Sequence, residues 1–170
     1  MLISLLPRIA KRKKIILLLL FFVPITLSPV CAQPDKEKEA IKAVIIRETS
    51  SFMNVDRKNW SESWLHTPYA YWSYSDSTSS TFIDGWDAID KTYDTYFKTQ
   101  KPSTAKISDE WIEVRVYGTG AYARFIQKST DNIDIDETSQ IRVLEKKDGK
   151  WWVVHVGVVA KYAKKQANQL

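Results

Sequence analysis

Residues 143–156 read Val143-Leu144-Glu145-Lys146-Lys147-Asp148-Gly149-Lys150-Trp151-Trp152-Val153-Val154-His155-Val156. Asp-Gly between two extended runs is the pattern of a tight hairpin, because both turn positions need a positive φ that these residues adopt at low cost. The stretch predicts two long antiparallel strands, roughly 138–147 and 150–161. Two more runs of strand character precede them, at about 105–117 and 121–130, separated by Gly118-Thr119-Gly120 and followed by the acidic loop 131–137. Four consecutive strands joined by short turns form a meander.

Upstream of Lys101-Pro102 the apolar spacing changes from two to near 3.6. After a short polar leader, 33 to about 37, a helix is predicted with Ala40, Ile41, Val44, Ile45 and Phe52 on one face and Lys42, Arg47 and Glu48 off it. Asp56 is a good N-cap for a second, shorter helix, with Val55 before it and Trp60 at the fourth helical position, the pairing of a hydrophobic staple. Pro68 is read as closing that helix. The aromatic stretch Tyr69-Ala70-Tyr71-Trp72-Ser73-Tyr74, a Ser/Thr-rich turn and the brief strand Thr81-Phe82-Ile83 follow. A third helix starts near Asp84-Gly85 and aligns Trp86, Ile89, Tyr93, Tyr96 and Phe97. Helices first and a meander after is an α+β arrangement in a single domain, with the helices on one face of the sheet.

The chain begins with a basic region, Arg8 and Lys11-Arg12-Lys13-Lys14, followed by the apolar run Ile15–Val23, which Pro24 interrupts. This is the pattern of an export signal, with Val30-Cys31-Ala32 as an acceptable site for cleavage after Ala32. The run is too short for a membrane anchor, which needs about 20 apolar residues. Lipid attachment at Cys31 is disfavoured, because Val30 stands where such sites carry Gly or Ala. Residues 1–32 hold five of the 25 basic residues, none of the 20 acidic ones and the only cysteine. The expected mature chain, 33–170, is therefore neutral and cysteine-free, exported to the periplasm or secreted, and not held in a membrane. Neutrality removes the charge argument for a nucleic-acid partner. Loss of Cys31 excludes a disulfide, a thiol nucleophile and a thiolate metal site.

The helix order together with Asp148-Gly149-Lys150-Trp151, the strand Val153-Val154-His155 and Gly85-Trp86-Asp87-Ala88-Ile89 resembles the nuclear transport factor 2-like, or SnoaL-like, superfamily over about 36–161. The resemblance implies a cone-like roll: about three N-terminal helices packed on a strongly curved, mainly antiparallel sheet, open at one end to a pocket. It also implies a homodimer formed through the outer sheet face. Superfamily members include isomerases, cyclases, hydrolases, dehydratases and non-catalytic binders, so the fold leaves function open. Where some of these enzymes keep a catalytic Asp, this sequence has Tyr69 to Tyr74 and no acid before Asp76, which counts against steroid-isomerase-like chemistry.

Strict alternation along the last strand puts Trp151, Val153, His155, Gly157 and Val159 on one side and Trp152, Val154, Val156 and Val158 on the other. Both sides are apolar, and the helices cover only one; the tail 162–170, rich in Lys and Gln, is a poor cover for the second. The resemblance puts His155 toward the interior, as a ligand contact, a hydrogen-bonded structural residue or an acid/base. His66 is read as meeting helix-end carbonyls. Seven Trp and eight Tyr make the chain aromatic-rich. Trp60, Trp64, Tyr71, Trp86 and Trp111, with His155, are the predicted lining of a pocket for a small apolar or aromatic ligand. The bland alternative is that these rings only fill the core.

Among the acids, Asp56, Asp84 and Asp87 fit helix starts, Asp109 and Glu113 are read as sharing a strand face with Trp111 and Arg115, and no pair stands out for hydrolysis. The loop with Asp131, Asp134, Asp136 and Glu137 lacks the glycine and spacing of a calcium loop. No zinc-protease, phosphate-loop or serine-hydrolase motif is present, and no cofactor is expected. Three functions follow: an exported small-molecule binder; an enzyme of proton transfer or hydrolysis using His155; or an interaction module with a filled interior.

Overall fold

A computed structural model describes residues 33–131 and 135–160. The export signal, Cys31, the cleavage point, Asp134 and the tail 162–170 lie outside the described residues. Helix α1 spans Gln33–Met53, starting at the residues read as a leader, and α2 spans Arg57–Ser61. Strands β1 (Tyr71–Ser75) and β2 (Ser80–Asp84) form a hairpin that leads into α3 (Trp86–Thr99). The meander is β3 (Lys106–Tyr117), β4 (Gly120–Thr130), β5 (Ile135–Lys147) and β6 (Lys150–Ala160).

Local chemistry explains the boundaries. Asp56 caps α2, its side chain accepting from the Asn59 N–H at 3.1 Å. That helix ends at Ser61, whose carbonyl oxygen lies 2.9 Å from His66 Nε2, so His66 meets a helix-end carbonyl as expected. Pro68 sits further on, in the connection to β1. Its carbonyl lies 3.3 Å from where a Cβ on Gly85 would stand, and Gly85 has φ 83°, so only glycine fits the junction between β2 and α3. Asp148 and Gly149 both have positive φ, 52° and 75°, as the tight β5–β6 turn requires.

The six strands form one sheet in the order β2-β1-β6-β5-β4-β3, antiparallel except for the parallel pair β1–β6. The sheet expected from the resemblance, strongly curved into a cone-like roll, is corrected here: the sheet is mixed and open. Its two ends, β2 and β3, do not pair with one another, and the short β2 exposes most of its side chains, so nothing closes the sheet around the helices.

Two bulges alter the face assignments. In β3 the register shifts between Trp111 and Glu113, and in β5–β6 Leu144 pairs with Val153 while Val143 pairs with His155, leaving Val154 as the extra residue. An extra residue reverses the parity of everything after it. The helix-facing side of β6 is therefore Trp151, Val153, Val156 and Val158, and His155, Gly157 and Val159 turn to the opposite side with Trp152. In β3, Asp109 and Trp111 stay on the helix-facing side, whereas Glu113 and Arg115 move to the outer one. The second bulge has a visible cause. Before it, β6 pairs with the segment after α2, through Leu65 N–H to Val153 O and Val153 N–H to Ser63 O, both at 2.9 Å; after it, β6 pairs with β1.

The core lies between the helices and the inner sheet face: Ile41, Ile45, Ile89, Phe125, Leu144 and Val153 are fully buried. Polar ties fix the helices. Glu37 accepts from Lys146 Nζ and Trp151 Nε1, each at 2.7 Å, binding α1 to the β5–β6 hairpin. Arg57 bridges Asp90 and Asp94, at 2.8 and 2.6 Å, binding α2 to α3. No helix among the described residues is long and apolar enough to cross a membrane.

Candidate functional site

The interior has two ends of different character. Near α2, Trp60, Trp64 and Trp86 pack against one another with ring centroids 5.5–6.1 Å apart and are 1%, 1% and 8% exposed. His66 stacks on the outside of Trp86 at 4.0 Å. This end is filled. Toward the far end of α1, between α1, α3 and the inner faces of β1, β4, β5 and β6, lies a pocket of about 350 Å³.

One wall of this pocket is aromatic. Trp72 and Tyr74, two residues apart on β1, project to the inner face with parallel rings, and Tyr93 of α3 meets Trp72 edge-on at 5.4 Å. Phe52 of α1 adds a fourth ring and contacts Tyr93 at 5.3 Å. The helix stripes that carry Phe52 and Tyr93 were legible; their opening onto a shared pocket was not. Burial raises the Tyr93 pKa, with Glu48 as a second cause, so its hydroxyl stays protonated and available as a donor.

The opposite wall is polar. The inner face of β5 presents Asp136, Thr138, Gln140 and Arg142 in succession, while Ile141 and Val143 point outward, the reverse of the usual patterning. Arg142 is 3% exposed, deep in the pocket, over the Phe125 ring at 5.5 Å. Its Nη1 donates to Gln140 Oε1 at 2.8 Å and to the Ile141 carbonyl at 3.1 Å. Its Nη2 reaches Glu48 Oε2 at 3.4 Å, and its Nε has no hydrogen-bond partner among the described residues. Desolvation lowers the Arg142 pKa against the opposing pull of Glu48 and Asp109. Glu48, 5% exposed, also accepts from Trp60 Nε1 at 3.2 Å.

The predicted site residues fall as follows. Trp60 lines the pocket. Trp64 and Trp86 belong to the filled end. Trp111 lines a separate cavity between the end of α1 and β3, about 410 Å³, together with Asp109, whose pKa burial raises and whose Oδ1 accepts from Gln127 Nε2 at 3.0 Å. Tyr71 and His155 lie on the outer sheet face, 5.0 Å apart as an edge-on pair. His155 is half-buried there, its Nε2 has no hydrogen-bond partner among the described residues, and burial, then Arg142 through the sheet, lowers its pKa. Glu48 and Arg142 were missed. The signal was present: Glu48 continues the spacing Ile41, Ile45, Glu48, Phe52, so an acid occupies a core position of the helix. Asp136, read as part of the acidic loop 131–137, lies on β5 at the pocket rim. No group of residues suited to hold a metal ion occurs among the described residues.

No family model matches the sequence, and no curated protein matches it. Solved structures do match. An NTF2-like protein of unknown function from Shewanella baltica has a TM-score of 0.57 and 20% identity, covering 76% of this chain and 97% of that one. A second such protein, from Shewanella oneidensis, has a TM-score of 0.58 and 13% identity over 72% of this chain and 98% of its own. A proposed ketosteroid isomerase from Parabacteroides distasonis has a TM-score of 0.57 and 16% identity over 74% and 89%. At these identities the likeness is one of fold: the chain has the nuclear transport factor 2-like fold, an α+β frame that leaves function open.

Proposed function

We propose that this protein binds a small, partly apolar molecule in the pocket between α1, α3 and the inner sheet face. The observation that carries the reading is an aromatic wall, Phe52, Trp72, Tyr74 and Tyr93, facing a polar one across about 350 Å³, within the size range of ligand sites. Trp60 forms the boundary with the filled end and completes the lining. The rings supply apolar contact area at low entropic cost, and the side chains of β5 orient the ligand's polar end. His155 has no part in this reading as a catalytic group, because its ring lies on the other side of the sheet. The interior is filled only at its Trp64–Trp86 end, which speaks for a binder over a module with no room inside.

The protein is read as acting outside the cytoplasm after cleavage behind Ala32; the mass of the exported form, expected to begin at Gln33, tests this. Self-association through the outer sheet face fits the half-buried Tyr71, Ile141, Val143 and His155 and the exposed Phe82 and Val159 on that side. Sedimentation at micromolar concentration tests it. The pocket itself is tested by native mass spectrometry of protein purified from its own source: a retained molecule that Trp72→Ala releases is the expected result. Absence of any retained or added ligand refutes the reading.

A further inference from the structure

Resting on that reading, we infer that the ligand carries a carboxylate, seated on the Nε–Nη2 edge of Arg142, with its apolar body against Trp72, Tyr74 and Tyr93. A buried guanidinium offers five N–H donors in a fixed fork and must have them satisfied. Here the Nη1 side is satisfied by Gln140 and the Ile141 carbonyl, at 2.8 and 3.1 Å. The Nε–Nη2 edge, which holds a carboxylate through two parallel bonds, is not. Glu48 reaches it only through Nη2, at 3.4 Å, well beyond the roughly 2.7–2.9 Å of a charge-assisted bond. Nε has no partner among the described residues and is itself sealed from solvent, so seating a carboxylate there requires the guanidinium to turn toward the open pocket.

Glu48 is also committed elsewhere. Its Oε1 accepts the Trp60 indole N–H at 3.2 Å, which draws the carboxylate toward α2. The other acids nearby do not replace it. Asp109 lies in the neighbouring cavity, bonded to Gln127, and burial disfavours its charge. Asp136 stands exposed at the rim. The deep end of the pocket therefore holds a cation whose counter-charge is incomplete, in surroundings where an added anion is worth most. A neutral acceptor, such as a ketone or amide, fills one donor but leaves the charge; an amine adds a second cation beside the first.

Three probes that share one body and differ only in the head group test this: 4-phenylbutyrate, 4-phenylbutyramide and 4-phenylbutylamine, each titrated into the full chain by calorimetry. The acid is expected to bind at least about tenfold tighter than the amide, and the amine not at all; a hydrogen bond to a charged group is worth roughly 1.5–3 kcal/mol. Arg142→Lys, which keeps the charge and loses the fork, should cut the preference for the acid several-fold. Glu48→Gln keeps an acceptor for Trp60 and removes the competing charge, so it should raise the preference for the acid over the amide several-fold. The three-probe comparison on the parent chain keeps the test decisive if neither variant folds. Trp72→Ala should weaken acid and amide alike, which places both in this pocket. Equal binding of acid and amide, or tighter binding of the amine, overturns the carboxylate assignment and leaves the pocket reading standing. Failure of all three probes to bind overturns both.

Discussion

The two ends of the interior use the same residue types and reach opposite results. At the α2 end, Trp60, Trp64 and Trp86 pack on one another within the buried cluster that also holds Leu144 and Val153, and the rings fill the space. At the other end Trp72, Tyr74 and Tyr93 face Arg142, Gln140 and Glu48, groups that cannot collapse onto rings without losing hydrogen bonds, and about 350 Å³ stays open. A buried polar wall, rather than the rings themselves, keeps a pocket from filling. Aromatic richness alone does not tell the two apart.

That contrast can be broken at its strongest points first. Trp64→Ala removes a 1%-exposed ring from the filled end and should cost about 3–5 kcal/mol in urea denaturation, with the probe preference unchanged in the folded fraction. Glu48→Ala should cost a similar roughly 3–5 kcal/mol, because it leaves Arg142 buried and unpaired. The pair Glu48→Leu with Arg142→Met should instead be neutral or stabilising by up to about 4 kcal/mol while abolishing acid binding. Should that double variant be as unstable as Glu48→Ala, the polar wall is structural and the comparison fails.

Smaller effects sharpen it. Trp72→Ala, at a partly buried ring already open to the pocket, should cost about 1–2 kcal/mol and weaken ligand binding, the inverse of Trp64→Ala. His155 probes the outer face. Its folded pKa is lowered, so the neutral ring is what the fold accommodates, and stability is lost as pH falls from the ordinary histidine pKa of 6.5 toward the lower folded value. His155→Gln should flatten that part of the stability curve measured by denaturation at a series of pH values. Asp109 behaves in the other sense: its folded pKa is raised above 3.8 by burial, so its contribution is lost as pH rises through and above that value, and Asp109→Asn should be the more stable form at neutral pH. A variant with the same pH profile as the parent would show that the Asp109 carboxylate is solvated.

The alternation and spacing of apolar residues determined a good deal without any tertiary information. The four long strands, the Asp148-Gly149 turn, the cap at Asp56 and the helix opening at Gly85 all follow from backbone preferences within a few residues, and local chemistry is what a sequence states directly. What the sequence did not determine was which face each residue takes after a bulge. Val154 and Ile112 are ordinary strand residues, and only the change of partner along β6 and the slipped pairing with β4 expose them as extra. That parity moved His155 out of the interior and brought Val156 in, level with Arg142. The open sheet edges, the closure of the space between Trp64 and Trp86, and the meeting of Glu48 with Arg142 across 94 positions depend on contacts between distant segments. No local pattern encodes these, because each is set by which segments pack together and by what remains between them.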